Sequence, residues 1–241
     1  MQIHIVEDYQ QLSAKAASIV ASQVILKSNS VLGLATGSTP EGMYRGLVQM
    51  HQAGTVDFNG VVTFNLDEYL GLSSEHPQSY HYFMHQHLFN HINVLPENIH
   101  IPSGQAEDMA KYCLEYDQKI AAAGGIDLQV LGIGGNGHIG FNEPHQYLNV
   151  QTQVVDLTEE TIEANSRFFA TAQEVPGQAV TMGMGSIMKA QRILLLASGK
   201  NKAAVIKETV SGKISTEIPA SFLQLHRELI LVLDKEVASL L

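Results

Sequence analysis

The chain has 241 residues, 45% of them apolar and 16% charged, and a formal net charge of −10. That composition is the composition of a soluble globular protein with room for a substantial core. It excludes nucleic acid or an anionic membrane as the main partner, because both require a basic face. A small anionic ligand stays open, since one phosphate needs only a few local donors and cations. No apolar stretch approaches membrane-spanning length. The start, Met1-Gln2-Ile3-His4-Ile5-Val6, reads as a short strand and not as a signal peptide, for it lacks basic residues and a long apolar core. The single cysteine, Cys113, excludes an intrachain disulfide and fits a reducing cytoplasm.

In chain order the pattern predicts a strand at Ile3–Val6, a helix at Asp8–Lys27, a strand at Val31–Ala35 and a helix at Pro40–Gln52. A strand comes next at Val61–Leu66, a helix at Tyr80–Asn90, a strand at Ile99–Ile101 and a helix at Ala106–Ala123. Strands are then expected at Leu128–Gly132 and Val154–Asp156, a helix at Gly185–Ala190, a strand at Arg192–Ala197, a helix at Lys200–Val210 and a strand at Leu229–Leu233. Several strands are nearly continuous in Val, Ile and Leu, as expected for strands buried on both faces of a parallel sheet. With no internal repeat or linker, residues 1–241 read as a single-domain α/β protein. The architecture expected is a Rossmann-like, doubly wound, mostly parallel sheet with helices on both faces. Residues 156–182, rich in Thr, Gln and Glu with poor periodicity, are expected to form a lid segment.

Such sheets bind ligands beyond the carboxyl ends of their strands. Four segments come directly after strand candidates and would converge on one rim: Thr36-Gly37-Ser38-Thr39-Pro40, Asp67-Glu68-Tyr69, the glycine-rich stretch after Leu131, and Ser198-Gly199-Lys200-Asn201-Lys202. The first looks like an anion cradle, with Thr39 as N-cap, Pro40 in the first helical position, and Thr36, Gly37 and Ser38 adding a tight turn and donors; an ordinary capped turn is the alternative. Lys200 and Lys202 sit at a helix start, where cations oppose the helix dipole unless an anion is close. Asp67-Glu68 ends an apolar strand, so an acid there is desolvated enough to act as a base, or else caps the next helix. Arg167, taken alone, reads as a solvated surface charge.

The stretch Gly132-Ile133-Gly134-Gly135-Asn136-Gly137-His138-Ile139-Gly140-Phe141-Asn142-Glu143-Pro144 packs five glycines around one histidine and ends in a carboxylate. Glycine lets backbone N–H groups approach a ligand closely, and His138 with Glu143 is poised for proton transfer. Gly132, Gly134 and Gly137 also match a dinucleotide fingerprint, with Asp156 about twenty residues further on. Pro144 defeats that reading, because the motif needs a helix to start within it. His81, His85, His87 and His91 include pairs at helical spacing, but no cysteine or carboxylate completes a metal site between them, so they read as a wet helical face.

Taken together and in order, several segments resemble the glucosamine-6-phosphate deaminases of the glucosamine/galactosamine-6-phosphate isomerase family. They are Leu34–Pro40, Phe64–Tyr69, His76–Tyr80, Gly132–Pro144, Asn165–Phe168, Gly199–Ala203 and Pro219–His226, and the likeness covers essentially the whole chain. The resemblance implies conversion of glucosamine 6-phosphate and water into fructose 6-phosphate and ammonia in amino-sugar catabolism, with no organic cofactor and no catalytic metal. It implies that His138, assisted by Glu143, opens the pyranose ring, and that Asp67 moves the C2 proton to C1. It also implies a phosphate held among Thr36, Gly37, Ser38, Thr39, Arg167 and Lys202. Many members carry Asp where Asn136 stands. Asn136, counted with the catalytic set, can offer only a neutral hydrogen bond, so the relay leans on Glu143. The chain stops at Leu241, short of the longer allosteric members, which implies a cytoplasmic monomer or small homo-oligomer of the non-allosteric type.

Two other classes compete. A 6-phosphogluconolactonase-like hydrolase would need no base for a C2 proton, so Asp67 separates it from a deaminase. A sugar-phosphate sensor would carry a basic helix-turn-helix, and none is visible.

Overall fold

The computed structural model describes residues 1–166, 169, 171 and 174–241. Its centre is a seven-stranded sheet built from β1 (Gln2–Val6), β2 (Val31–Leu34), β3 (Val62–Asn65), β5 (Ile99–His100), β6 (Leu128–Leu131), β9 (Arg192–Ala197) and β10 (Leu229–Asp234). The strand order is β1-β10-β9-β6-β2-β3-β5. Every pairing within it is parallel. The interior strands β2, β6, β9 and β10 are buried throughout apart from Arg192, which explains their mostly apolar sequence, broken inside the sheet only by Gln129 and Asp234.

Helices cover both faces. On one, α1 (Tyr9–Leu26), α2 (Ser38–Gln52) and α3 (Tyr80–His87) bury Leu12, Val20, Met43, Leu47 and Met84 against Leu32, Leu34 and Val130. On the other, α4 (Met109–Ala122), α6 (Met184–Met188) and α7 (Ala203–Thr209) bury Tyr116, Ile187 and Ile206 against Phe64, Leu131 and Leu195. Among the described residues no helix is long and apolar enough to cross a membrane.

The expected doubly wound sheet is therefore present, but three elements go beyond it. A second sheet of β4 (Asp67–Tyr69), β8 (Gln178–Thr181) and β7 (Gln153–Asp156) is antiparallel. Helix α5 (Glu159–Ser166) lies within the stretch expected to be a lid, whose remaining residues 167, 168, 170, 172 and 173 lie outside the described set. Of these, β7 matches the strand expected at Val154–Asp156, whereas three-residue β4, β8 and the eight-residue helix give too little periodicity to be read from sequence. Helix α2 also begins earlier than expected. Gly37, at φ 105°, is its N-cap, so Ser38 and Thr39 fall inside the first turn. A positive φ, open to glycine, lets the chain turn from β2 directly into the helix.

The second sheet is joined to the first at Leu66. Its N–H donates to Leu34 O, and its carbonyl accepts from Met182 N at 2.7 Å. The chain thus passes from β3 into β4 without a loop, and the two acids beyond Leu66 are buried. Glu68, only 3% exposed, accepts hydrogen bonds from the backbone N–H groups of Tyr69, Tyr80 and His81, each at 2.9 Å. One carboxylate so satisfies the first turn of α3 and ties that helix to β4. Glu68→Ala is expected to leave these donors without an acceptor and to cost about 3 kcal/mol, a fall of roughly 6–12 °C in Tm. A thermal melt that moved by less than a degree or two would show that water replaces the cap.

Candidate active site

Strand order reverses between β2 and β6, and a cleft opens beyond their carboxyl ends, where such sheets take ligands. Its empty volume is about 730 Å³, the open mouth included. All four rim segments singled out in the sequence reach it. Thr36 to Pro40 enter from β2 and α2, Asp67 from β4, Gly132 to Phe141 after β6, and Lys202 after β9. Lys200 does not line it and is exposed.

At the α2 end, the N-cap Gly37 makes no side-chain cap, so no side chain of the cap residue competes for the first N–H groups of the helix. Tyr9 fixes this turn from α1. Its hydroxyl donates to Ser38 O at 2.8 Å and accepts from Gly42 N at 2.9 Å. Gly42 passes so close to α1 that a Cβ there would lie 2.2 Å from Ser13 Oγ. Across the cleft, the turn bearing Lys202 is held by Asp234 at the end of β10, which accepts from Ser198 Oγ at 2.5 Å and from Gly199 N at 3.0 Å. Thr36, Gly37, Ser38, Thr39 and Lys202 thus surround one end of the cleft, a cradle suited to a phosphate. Arg167 lies outside the described residues.

Asp67 is 6% exposed and faces the cleft. Among the described residues no donor is hydrogen-bonded to its carboxylate. Burial, and then the neighbouring charge of Glu68, push its pKa up to about 8. The adjacent acids therefore have separate fates. Glu68 is turned into the α3 terminus, where burial raises its pKa and the three N–H groups oppose that rise. Asp67 is left as a group of high proton affinity at the ligand surface. Gly140, at φ 58°, comes so close that a Cβ would lie 3.5 Å from Asp67 Oδ2 and 3.0 Å from Thr181 Oγ1.

The loop carrying His138 is anchored at several points. Phe141 N donates to Thr181 Oγ1 at 3.0 Å, and Asn142 Nδ2 donates to Ile139 O and Met182 O, both at 2.9 Å. Thr181 pairs with Asp67 across β8 and β4, so the two catalytic candidates share one frame. The His138 ring lies over Gly134, where a Cβ would stand 2.2 Å from Cε1. His138 Nδ1 is 3.2 Å from Glu143 Oε2. An ionised carboxylate only accepts, which puts the proton on Nδ1 and leaves Nε2 as the basic nitrogen.

Glu143 sits behind the imidazole and does not line the cleft; its other side borders a separate cavity with Asp156 and Tyr147. Asn136 is not on the cleft wall either. Its Nδ2 donates to Glu143 Oε2 at 2.8 Å, and its Oδ1 accepts from His138 N at 3.2 Å. Asn136 therefore braces the pair instead of touching a ligand. Burial pushes Glu143 up, but the hydrogen bond and charge of His138, together with hydrogen bonds from Thr161 and Asn136, outweigh it and hold Glu143 below the ordinary range.

The sequence reading did not single out Tyr80 or Asn165 as individual site residues, yet both line the cleft. Tyr80 is the first residue of α3, after the N-cap Ser79, and its phenol meets the hydroxyls of Tyr69 and Thr36. Its pKa stands well above the ordinary value, first through burial, so it stays a neutral donor. The Ser-Tyr step at a helix start was the available signal. Among the described residues no set of three His, Cys, Asp or Glu side chains is grouped to hold a metal; His81, His85 and His87 lie on α3, and His91 ends a separate 3₁₀ turn, Phe89–His91.

An acid beside a histidine–carboxylate pair, at the switch point of a doubly wound sheet, defines an α/β enzyme acting on a small molecule. The chain belongs to the family of glucosamine-6-phosphate isomerases and 6-phosphogluconolactonases, whose model matches residues 7–231. The glucosamine-6-phosphate deaminase of Halothermothrix orenii is 60% identical over 241 residues, covering all of both chains. That of Clostridioides difficile is 54% identical over 99% of this chain and 96% of its own. Among solved structures, a monomeric glucosamine-6-phosphate deaminase matches with a TM-score of 0.98 at 46% identity, over 100% of both chains. A 6-phosphogluconolactonase from Trypanosoma cruzi, at 19% identity and a TM-score of 0.77 over 99% of this chain and 96% of its own, shares the fold.

Gly134→Ala is expected to push the His138 ring out of line with Glu143 and to lower turnover by ~10²-fold, the scale of a lost acid–base group. Steady-state kinetics with an unchanged melting curve would bear this out, whereas wild-type turnover would mean that the ring has room to move.

Proposed function

We propose that the chain converts glucosamine 6-phosphate and water into fructose 6-phosphate and ammonia. The single observation that carries this reading is the buried Asp67 facing the cleft in one frame with His138, in a chain 54–60% identical to deaminases over nearly its whole length. The phosphate occupies the cradle of Thr36, Gly37, Ser38, Thr39 and Lys202, with Arg167 as a further cation. His138, through Nε2, takes the proton of the C1 hydroxyl and returns one to the ring oxygen, opening the pyranose to the aldehyde. Glu143 stabilises the imidazolium formed on the way, and Asn136 keeps Glu143 in place.

Asp67 then removes the C2 proton while O1 takes a proton from the C2 ammonium, giving an enolamine across C1 and C2, and Asp67 returns its proton to C1. The product of that step is an iminium at C2. Water adds to it, and the carbinolamine expels ammonia to leave the C2 ketone. A carboxylate with a pKa near 8 suits this step, because a base of that affinity is far better matched to a carbon acid than an ordinary aspartate. The ammonium at C2 of the bound substrate favours the ionised form when it is needed. A lactonase has no such proton to move, so the buried Asp67 favours the deaminase. The same reading makes residues 1–241 one catalytic domain in a reducing cytoplasm, acting as a monomer or small homo-oligomer, in keeping with the monomeric deaminase that it resembles.

Ammonia release from glucosamine 6-phosphate, with 6-phosphogluconolactone hydrolysis as the counter-assay, tests this assignment; release of acid from the lactone without ammonia would reverse it. Asp67→Asn is expected to leave KM nearly unchanged and to lower turnover by at least ~10²-fold; near-normal ammonia release would remove Asp67 from the reaction. The same variant carries a stability signature. The folded pKa of Asp67 lies above its unfolded value of 3.8, so its contribution is greatest below that value and is lost as pH rises through about 8. Asp67→Asn should therefore match wild type in Tm near pH 4 and exceed it near pH 9, and parallel curves would refute the buried charge.

A further inference from the structure

We propose that Thr161 is a positioning residue that holds the Glu143 carboxylate behind His138 and ties the catalytic pair to helix α5. Thr161 is 3% exposed, and its hydroxyl donates to Glu143 Oε1 at 2.5 Å. The other carboxylate oxygen is already engaged by Asn136 Nδ2 and His138 Nδ1. Thr161 thus supplies the contact to the second oxygen, and with it the rotation of the carboxylate plane is fixed. A charge-assisted hydrogen bond of this kind both favours the ionised form and restricts its direction.

Helix α5 is held firmly enough to serve. Thr161 N bonds to Thr158 Oγ1 at 3.2 Å, and Ile162 packs on the cluster of Tyr69, Phe141, Leu157 and Ala179. One helical turn on from Thr161, Asn165 lines the substrate cleft. The same face of α5 therefore touches the ligand space with one residue and the support of the catalytic histidine with another. Glu143 takes no direct part at the cleft wall, so the influence of Thr161 reaches the substrate only through His138.

This inference rests on the deaminase reading for its kinetic arm and is independent of it in its spectroscopic arm. Thr161→Val keeps the shape and removes the hydroxyl. Its expected effect is a fall in kcat of ~10-fold with KM within about twofold, from the loss of one hydrogen bond to a charged group. The Glu143 carboxyl itself should titrate ~1 unit higher, because it loses a donor that favours its ionised form. Carbon NMR of the Glu143 carboxyl should show the same upward titration shift without substrate. Thr161→Ser, which keeps the hydroxyl, should restore both. Unchanged kcat and an unchanged Glu143 titration in Thr161→Val would overturn the proposal. So would an equal loss in the Val and Ser variants with the Glu143 titration unmoved, since that marks packing alone. Wild-type protein that releases no ammonia would sink the deaminase assignment, and the NMR titration would still decide whether Thr161 holds Glu143.

Discussion

The site depends on how two adjacent carboxylates are buried where one sheet runs into another. At Leu66 the chain is hydrogen-bonded to β2 on one side and to β8 on the other, so Asp67 and Glu68 have no freedom to swing into water. Strand alternation sends the two side chains to opposite faces. Glu68 meets three backbone N–H groups and becomes the anchor of α3. Asp67 meets none and keeps the desolvation that Glu68 partly escapes. Burial of an acid without a partner is costly, and the fold tolerates it because Asp67, with its raised pKa, can hold a proton.

The rest of the site is built out from that junction. Glu68 places the first turn of α3, and with it Tyr80 on the cleft wall. Thr181, the pairing partner of Asp67, receives the Phe141 N–H and so sets the distance between Asp67 and the glycine-rich loop. Gly140 and Gly134 are needed because two surfaces close on them, Asp67 with Thr181 on one side and the His138 ring on the other. The glycine-rich loop is a tightly tied segment whose glycines permit close approach.

The main sheet and the rim of the site were legible in the sequence because both arise from strong, local signals. Continuous Val, Ile and Leu marks a strand buried on both faces, and the residues just past its carboxyl end form the rim. That rule alone brought Thr36, Asp67, His138 and Lys202 together. Of the second sheet only β7 was legible, since Asp67-Glu68-Tyr69 is only three residues with two acids and gains its strand form from β8, more than a hundred residues away. Helix α5 failed for a related reason. Its polar sequence has little amphipathic pattern, and it is positioned by Ile162 and by the bond from Thr161 to Glu143. The division of labour between Asp67 and Glu68 was equally hidden, because the choice between base and helix cap is made by partners distant in sequence.

Asn136 shows how the same geometry answers a departure that the resemblance implied at this position. An aspartate at this position would place a second negative charge within hydrogen-bonding distance of Glu143, and the two acids could share the space only with a proton between them or with one pKa raised. The amide instead donates to Glu143 and accepts from the His138 backbone with its two ends, so it needs no proton to do both. Glu143 is then the sole anion facing the imidazole, held by Asn136, His138 and Thr161 and kept below the ordinary carboxylate range. With one charge behind His138 and one carboxylate of high proton affinity on the cleft wall, the two acids are shifted in opposite directions from the ordinary carboxylate range. In the proposed reaction that separation lets ring opening and carbon-acid chemistry proceed in one cleft without the groups exchanging roles.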